Sequence, residues 1–104
     1  MSDQIISNFK SILEQGQDNA LIRFSLGNAY LNSNNYEEAI KHLSLALKHD
    51  PGYSAAWKLY GKALASAGNN DQAITAYQQG IEIAENKGDI QAAREMKVFL
   101  KRLL

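Results

Sequence analysis

The chain has 104 residues, 45% of them apolar and 21% charged, the proportions of one small globular domain with a core of its own and little room for a second. Eleven basic side chains balance eleven acidic ones, so no global field draws the protein to nucleic acid or to an anionic membrane, and neither is expected as a partner. The absence of cysteine excludes disulfides and thiol chemistry.

The opening stretch, MSDQIISNFK, lacks a basic segment followed by an apolar one, and no apolar run approaches the roughly 18–20 residues of a membrane span. The expected compartment is therefore the cytoplasm. A single proline, Pro51, and apolar residues recurring every three or four positions read as an all-α chain of six helices. The first runs from about Asp3 to Gln15, with Ile5, Ile6, Phe9, Ile12 and Leu13 on its apolar face. The second follows an Asn19 cap and reaches about Ser33. The third follows Asn35 and ends at His49, where the ring of Pro51 prevents its continuation. The fourth starts after Ser54 and ends near Ala67, with Gly68 as its stop. The fifth follows Asn69 or Asn70 and runs to about Asn86. Gly88 breaks it, and Asp89 caps a sixth that reaches the C-terminus. The connections are short, so neighbouring helices pack antiparallel.

A shift of 34 residues superposes GNAYLNSNNYEEAI (27–40) on GKALASAGNNDQAI (61–74). Gly27 meets Gly61, Ala29 meets Ala63, Asn35 meets Asn69, Ala39 meets Ala73 and Ile40 meets Ile74. A helix-turn-helix unit repeated at fixed period marks a stacked array. Glycine inside a helix costs about 1 kcal/mol relative to alanine, so Gly27 and Gly61 imply a close approach by the partner helix. Ala39 and Ala73 are the expected facing residues. Leu26, Tyr30, Leu43 and Leu47 fill one seam; Trp57, Tyr60, Leu64, Tyr77 and Ile81 fill the next.

These residues resemble the tetratricopeptide repeat, whose pattern is Trp-x2-Leu-Gly-x2-Tyr, then Ala-x3-Phe, then Pro. The first unit carries Leu26-Gly27-x2-Tyr30, Ala39-x3-Leu43 and Pro51, with Arg23 in place of Trp. The second carries Trp57, Gly61 and Ala73-x3-Tyr77, with Tyr60, Leu64 and Glu85 departing from the pattern. The resemblance implies a right-handed superhelical array of antiparallel helix pairs forming one domain over residues 1–104. It comprises a half-repeat helix at 3–15, repeats at 20–53 and 54–87, and a capping helix at 89–104. Ile5 and Phe9 fall in the Ala-x3-Phe register of the half repeat. In the capping helix an unbroken 34-residue step would bury Arg94. Two extra residues in ENKGD place Ala93, Met96 and Leu100 in the core instead, which buries carbon rather than charge.

No catalytic constellation emerges. His42 and His49 lie two helical turns apart, about 10.5 Å, too far to share a metal. Both read as surface residues, His42 with Glu38 four positions before it as an ion-pair partner. Glu37 and Glu38 complement the dipole at a helix start, and the serines have no base beside them. Neither enzyme activity, cofactor nor metal is expected.

In arrays that resemble this one, the first helices of the units line a concave groove that accepts an extended peptide or a partner helix. Here those are the second, fourth and sixth helices. Opposite the core stripe they present Leu21, Phe24, Ser25, Asn28 and Asn32, then Lys58, Lys62 and Ser66 with Leu59 at the edge, then Arg94, Glu95, Val98 and Lys101. The lysines read either as cations awaiting acidic ligand groups or as solvating charges, with Glu95 as a partner. The Lys-Asn-Asn-Lys-Arg clamp by which one subfamily grips chaperone C-termini is matched only at Asn28. Phe24, Leu59, Asp89 or Gln91, and Ala93 or Glu95 stand at its other positions. The expected function is a non-enzymatic protein-binding module, a monomer whose partner is a peptide or helix of another protein carrying an acidic group. The alternative is a structural protein that self-associates, as a weak homodimer, through its terminal helices. Val98 and Leu104 are expected to be exposed while Phe99, Leu100 and Leu103 pack inward.

Overall fold

The computed structural model describes residues 2–104, with side chains from Asp3 onward. The described residues form six helices: α1 Ser2–Glu14, α2 Ala20–Asn32, α3 Tyr36–His49, α4 Ser54–Ser66, α5 Asn70–Lys87 and α6 Ile90–Leu103. Three of the helix starts are fixed by a side-chain cap. The side chain of Asn19 accepts a hydrogen bond from the Ile22 amide (2.9 Å), Asn35 from Glu38 (3.4 Å) and Asp89 from Ala92 (3.2 Å). Each satisfies an amide that the first helical turn leaves without a partner. Asn69 occupies the same place before α5 but makes no side-chain cap. The expectation that Ser54 precedes α4 is corrected. Tyr53 holds the cap position without a side-chain bond, and Ser54 is buried in the first turn with its hydroxyl unpartnered.

The turns inside the two units share one unusual backbone conformation. Gly68 has φ +85° and Asn34, one repeat earlier, has φ 62°. A left-handed residue reverses the chain after the first helix of each unit, which glycine adopts without strain and asparagine tolerates better than most.

Consecutive helices pack against each other along the whole chain. In addition α2 touches α4 and α4 touches α6, whereas α1, α3 and α5 make no such contacts with one another among the described residues. The layer of α2, α4 and α6 is therefore the tighter one and forms the inner face, and α3 and α5 splay apart on the outer side.

The seams are filled largely as the repeat demands. Leu26, Ala39, Leu43 and Ala63 are fully buried around α2 and α3, and Ala73, Ala84 and Met96 around α5 and α6. Burial of one such large side chain contributes about 1.5–3 kcal/mol. Met96 settles the register of α6 with carbon inside and Arg94 outside. Phe99, Leu100 and Leu103 pack inward, while Val98 and Leu104 stay exposed.

The residues facing the helical glycines differ from expectation. A Cβ on Gly27 would lie 2.7 Å from Leu43 Cδ2, and one on Gly61 would lie 2.7 Å from Tyr77 Cδ1. Leu43 and Tyr77 sit one turn beyond Ala39 and Ala73, so each large side chain lies across its glycine while the alanines are buried in the same seams. Gly80 is a third close approach, 2.8 Å from Trp57 Cβ by the same construction, and holds α5 against both α4 and α6. In α1 it is Ile6 that is buried. Ile5, which the repeat register places in the core, is 48% exposed.

His42 is a second correction. It is not a surface residue but 5% exposed, stacked on Tyr30 with centroids 5.4 Å apart. Arg23 explains this. Its guanidinium donates to both oxygens of Asp18 at 2.8 Å and approaches His42 Nδ1 at 3.1 Å. Since arginine only donates, Nδ1 accepts and the imidazole proton sits on Nε2, facing Glu38 at 3.4 Å. Burial, with Arg23 second, lowers the His42 pKa, and the Arg23 hydrogen bonds hold the Asp18 carboxyl below its ordinary value. At the equivalent place in the second unit Trp57 donates to the Pro51 carbonyl at 2.7 Å. Arginine and tryptophan thus do the same task, tying the start of the first helix to the loop before it. His49 is exposed as expected and meets Asp18 at 3.2 Å.

Candidate functional site: the inner helical face

The face of α2 directed away from the core carries Leu21, Ser25, Asn28 and Asn32 at spacings of four, three and four residues, one stripe of a helix. Leu21 is 63% exposed. Phe24, beside this stripe, is half-buried and stacked on Tyr53 (centroids 4.8 Å, 26°), so one of its faces is already occupied. Burial, then the Asp50 charge, raises the Tyr53 pKa, which keeps its phenol neutral. Phe24, Ser25, Asn28 and Asn32 join Ile5 and Phe9 of α1 around a cleft of about 280 Å³. The contribution of α1 was not expected. The repeat register had assigned Ile5 to the core, whereas it is 48% exposed and lines this cleft.

On α4, Lys58 and Lys62 separate. Lys58 Nζ donates to Glu95 Oε2 at 3.1 Å and joins α4 to α6. Lys62 and Ser66 lie further along α4, on a second cleft of about 210 Å³, lined in addition by Ala65, Tyr77, Phe99, Arg102 and Leu103. Phe24 and Asn28 therefore belong to one cleft and Lys62 to another. Arg94 and Val98 are exposed on α6 and line neither. Arg102 was missed. It sits four residues beyond Val98, one turn along the same face, and that spacing was the available signal.

A wider depression of about 750 Å³ lies on the other side of α1, bounded by Ile6, Lys10, Glu14, Tyr30 and Glu38. Its charges are of mixed sign, and it does not belong to the inner face. Lys10 lies over the Tyr30 ring at 5.7 Å. Among the described residues no group of three or more His, Asp or Glu side chains could hold a metal ion. No helix there is long and apolar enough to cross a membrane.

The architecture is that of helix pairs repeating at 34 residues, with glycines pressed against Leu43 and Tyr77. The family model described as "Tetratricopeptide repeat" matches residues 6–54 and again 24–90. The chain belongs to the tetratricopeptide repeat family. A TPR repeat-containing protein of Pseudomonas aeruginosa is 46% identical over 95% of this chain and 94% of its own length. The solution structure of a Bordetella parapertussis protein is 41% identical, covers 95% of this chain and 86% of its own, and superposes with a TM-score of 0.85. The Sgt2 TPR domain of Aspergillus fumigatus is 25% identical, with a TM-score of 0.74 over 98% of this chain and 76% of its own. The tetratricopeptide fold generally mediates contact between proteins. In this member its inner face offers two clefts of different chemistry, one apolar and amide-rich, the other apolar and cationic.

Proposed function

We propose that this tetratricopeptide repeat protein is a non-enzymatic interaction module that holds a peptide segment or a helix of another protein along the inner face of α2, α4 and α6. The observation that carries the reading is the pair of clefts on that face. Both are floored by aromatic and aliphatic carbon and edged by groups that hydrogen-bond, the combination that orients a peptide. The reading treats residues 20–53 and 54–87 as full units, 3–15 as a half unit and 89–104 as a closing helix. The packing of Ala92, Ala93 and Met96 against Tyr77 and Ala84 supports that last role. Ser25, Asn28, Lys62 and Ser66 are the contact residues with side chains free of the core. Leu21, Phe24, Asn32, Arg94 and Val98 flank them, and Lys58 contributes once Glu95 releases it.

The test compares affinity capture from the source cell by wild type and by an Asn28→Arg, Ser66→Arg variant of unchanged helicity. A partner held by wild type and lost by the variant is expected. Equal capture by both refutes a role for the inner face. A second reading, self-association through the terminal helices, is favoured by the exposed Ile5 on α1 and by Val98 and Leu104 at the other end. It requires the sedimentation mass to double with concentration, and an Ile5→Glu or Val98→Glu change to abolish the doubling.

A further inference from the structure

We infer that the cleft between α4 and α6 is a subsite for a segment of another protein that carries a carboxylate side chain beside an apolar one. This rests on the interaction-module reading and adds what the partner must bring.

The Lys58–Glu95 pair joins the two helices at one level. One turn further along each helix, at Lys62 and Phe99, the surface opens into the cleft of about 210 Å³. Its floor is carbon from Tyr77, Phe99 and Leu103, and its edges carry Lys62 and Arg102. No acidic side chain lines it, and neither cation has a carboxylate within ion-pair distance among the described residues. The nearby acid, Glu95, is already taken by Lys58. In a chain of zero net charge this is a local excess, and two cations beside an apolar depression concentrate positive potential there. The Arg102 guanidinium lies over the Phe99 ring at 5.6 Å, which keeps it at the edge rather than loose in solvent.

The floor selects a side chain rather than a nucleobase. Tyr77 and Phe99 face each other, with centroids 6.0 Å apart and planes at 34°, and Tyr77 is only 2% exposed. Tyr77 offers no open face for base stacking, and a leucine or phenylalanine side chain fits a slot of this size. The residues involved are not those at the chaperone-clamp positions, where only Asn28 matched.

The probes are capped pentapeptides bearing one glutamate and one leucine or phenylalanine at each spacing, with glutamine and lysine counterparts, titrated into the isotope-labelled full chain. The glutamate peptides should shift the amides of residues 62–66, 77 and 99–103, with an affinity that falls as salt rises. Lys62→Glu with Arg102→Glu, both exposed positions, should weaken binding about tenfold or more. Ser66→Trp, which fills the slot without changing charge, should remove it, and Asn28→Trp in the other cleft should not. Equal binding of the lysine peptides, undiminished binding by Ser66→Trp, or no binding by any peptide at millimolar concentration overturns the inference. So does a single-stranded oligonucleotide that shifts the same amides more strongly. Shifts confined to the α1–α2 cleft and abolished by Asn28→Trp would defeat this subsite and leave the module reading standing. Shifts on the outer faces of α3 and α5 would defeat both.

Discussion

Replacing Gly61 by alanine should destabilise the protein, although alanine is the better helix former. Propensity alone predicts a gain of about 1 kcal/mol for that change inside a helix. Against it stands the ring of Tyr77. The new methyl would sit 2.7 Å from Cδ1 and 2.8 Å from Cζ, where carbon contacts normally begin near 3.5 Å. Relief requires a shift of roughly 1 Å in a ring that is 2% exposed and packed on Phe99 at 6.0 Å. Overpacking of this kind costs about 1–3 kcal/mol, which exceeds the propensity gain over most of that range. The expected net loss is therefore about 0–2 kcal/mol for alanine and more than about 2 kcal/mol for leucine, which adds further methylenes. Urea unfolding followed by circular dichroism measures both. A double-mutant cycle isolates the cause. In a Tyr77→Val background, where the ring is gone, Gly61→Ala should become stabilising. If Gly61→Ala raises stability by the full propensity value with Tyr77 intact, the close-approach argument is refuted.

Stability should fall as the pH drops below about 6.5, because the folded-state pKa of His42 is lowered by burial and by Arg23, so the unfolded chain binds the proton more readily. His42→Gln should flatten that slope in unfolding titrations between pH 7.5 and 5, and an unchanged slope would remove His42 as its source. Asp18, whose pKa is lowered by Arg23, adds a second loss as the pH falls below its ordinary value of 3.8. Gly68→Ala should cost about 1 kcal/mol and Asn34→Gly should be neutral or stabilising in thermal unfolding, since both positions have positive φ. Deletion of residues 89–104 strips the cover from Tyr77, Gly80 and Ala84 and should cause aggregation in size-exclusion chromatography. A monomeric product of unchanged helicity per residue would show that α6 is no cap.

Local physics wrote most of the helical plan into the sequence. Asparagine and aspartate before the helices, Pro51 after α3, and an apolar stride of three and four placed the elements within a residue or two. The 34-residue period gave their pairing. Even the register of α6 was legible, because of two alternatives only one kept Arg94 in water and Met96 out of it. Periodicity assigns a face to each helix, but it does not say how far the partner slides along the axis. The long-range packing of whole seams decided that, and it laid the large side chains of Leu43 and Tyr77 across the glycines. The same limit hid the partners of polar groups at the edges of the stripes. His42 lies next to the core stripe of α3, and nothing local distinguishes a wet edge from a dry one. Tyr30 and Arg23, brought across from α2, made it dry. Lys58 and Lys62 looked alike as neighbours on α4, and although Glu95 was an expected partner, only the packing of α6 decided which of the two it takes. The two clefts exist only where α1 meets α2 and where α4 meets α6, so their chemistry belongs to the tertiary structure, because each is assembled from helices that no local signal in the sequence relates.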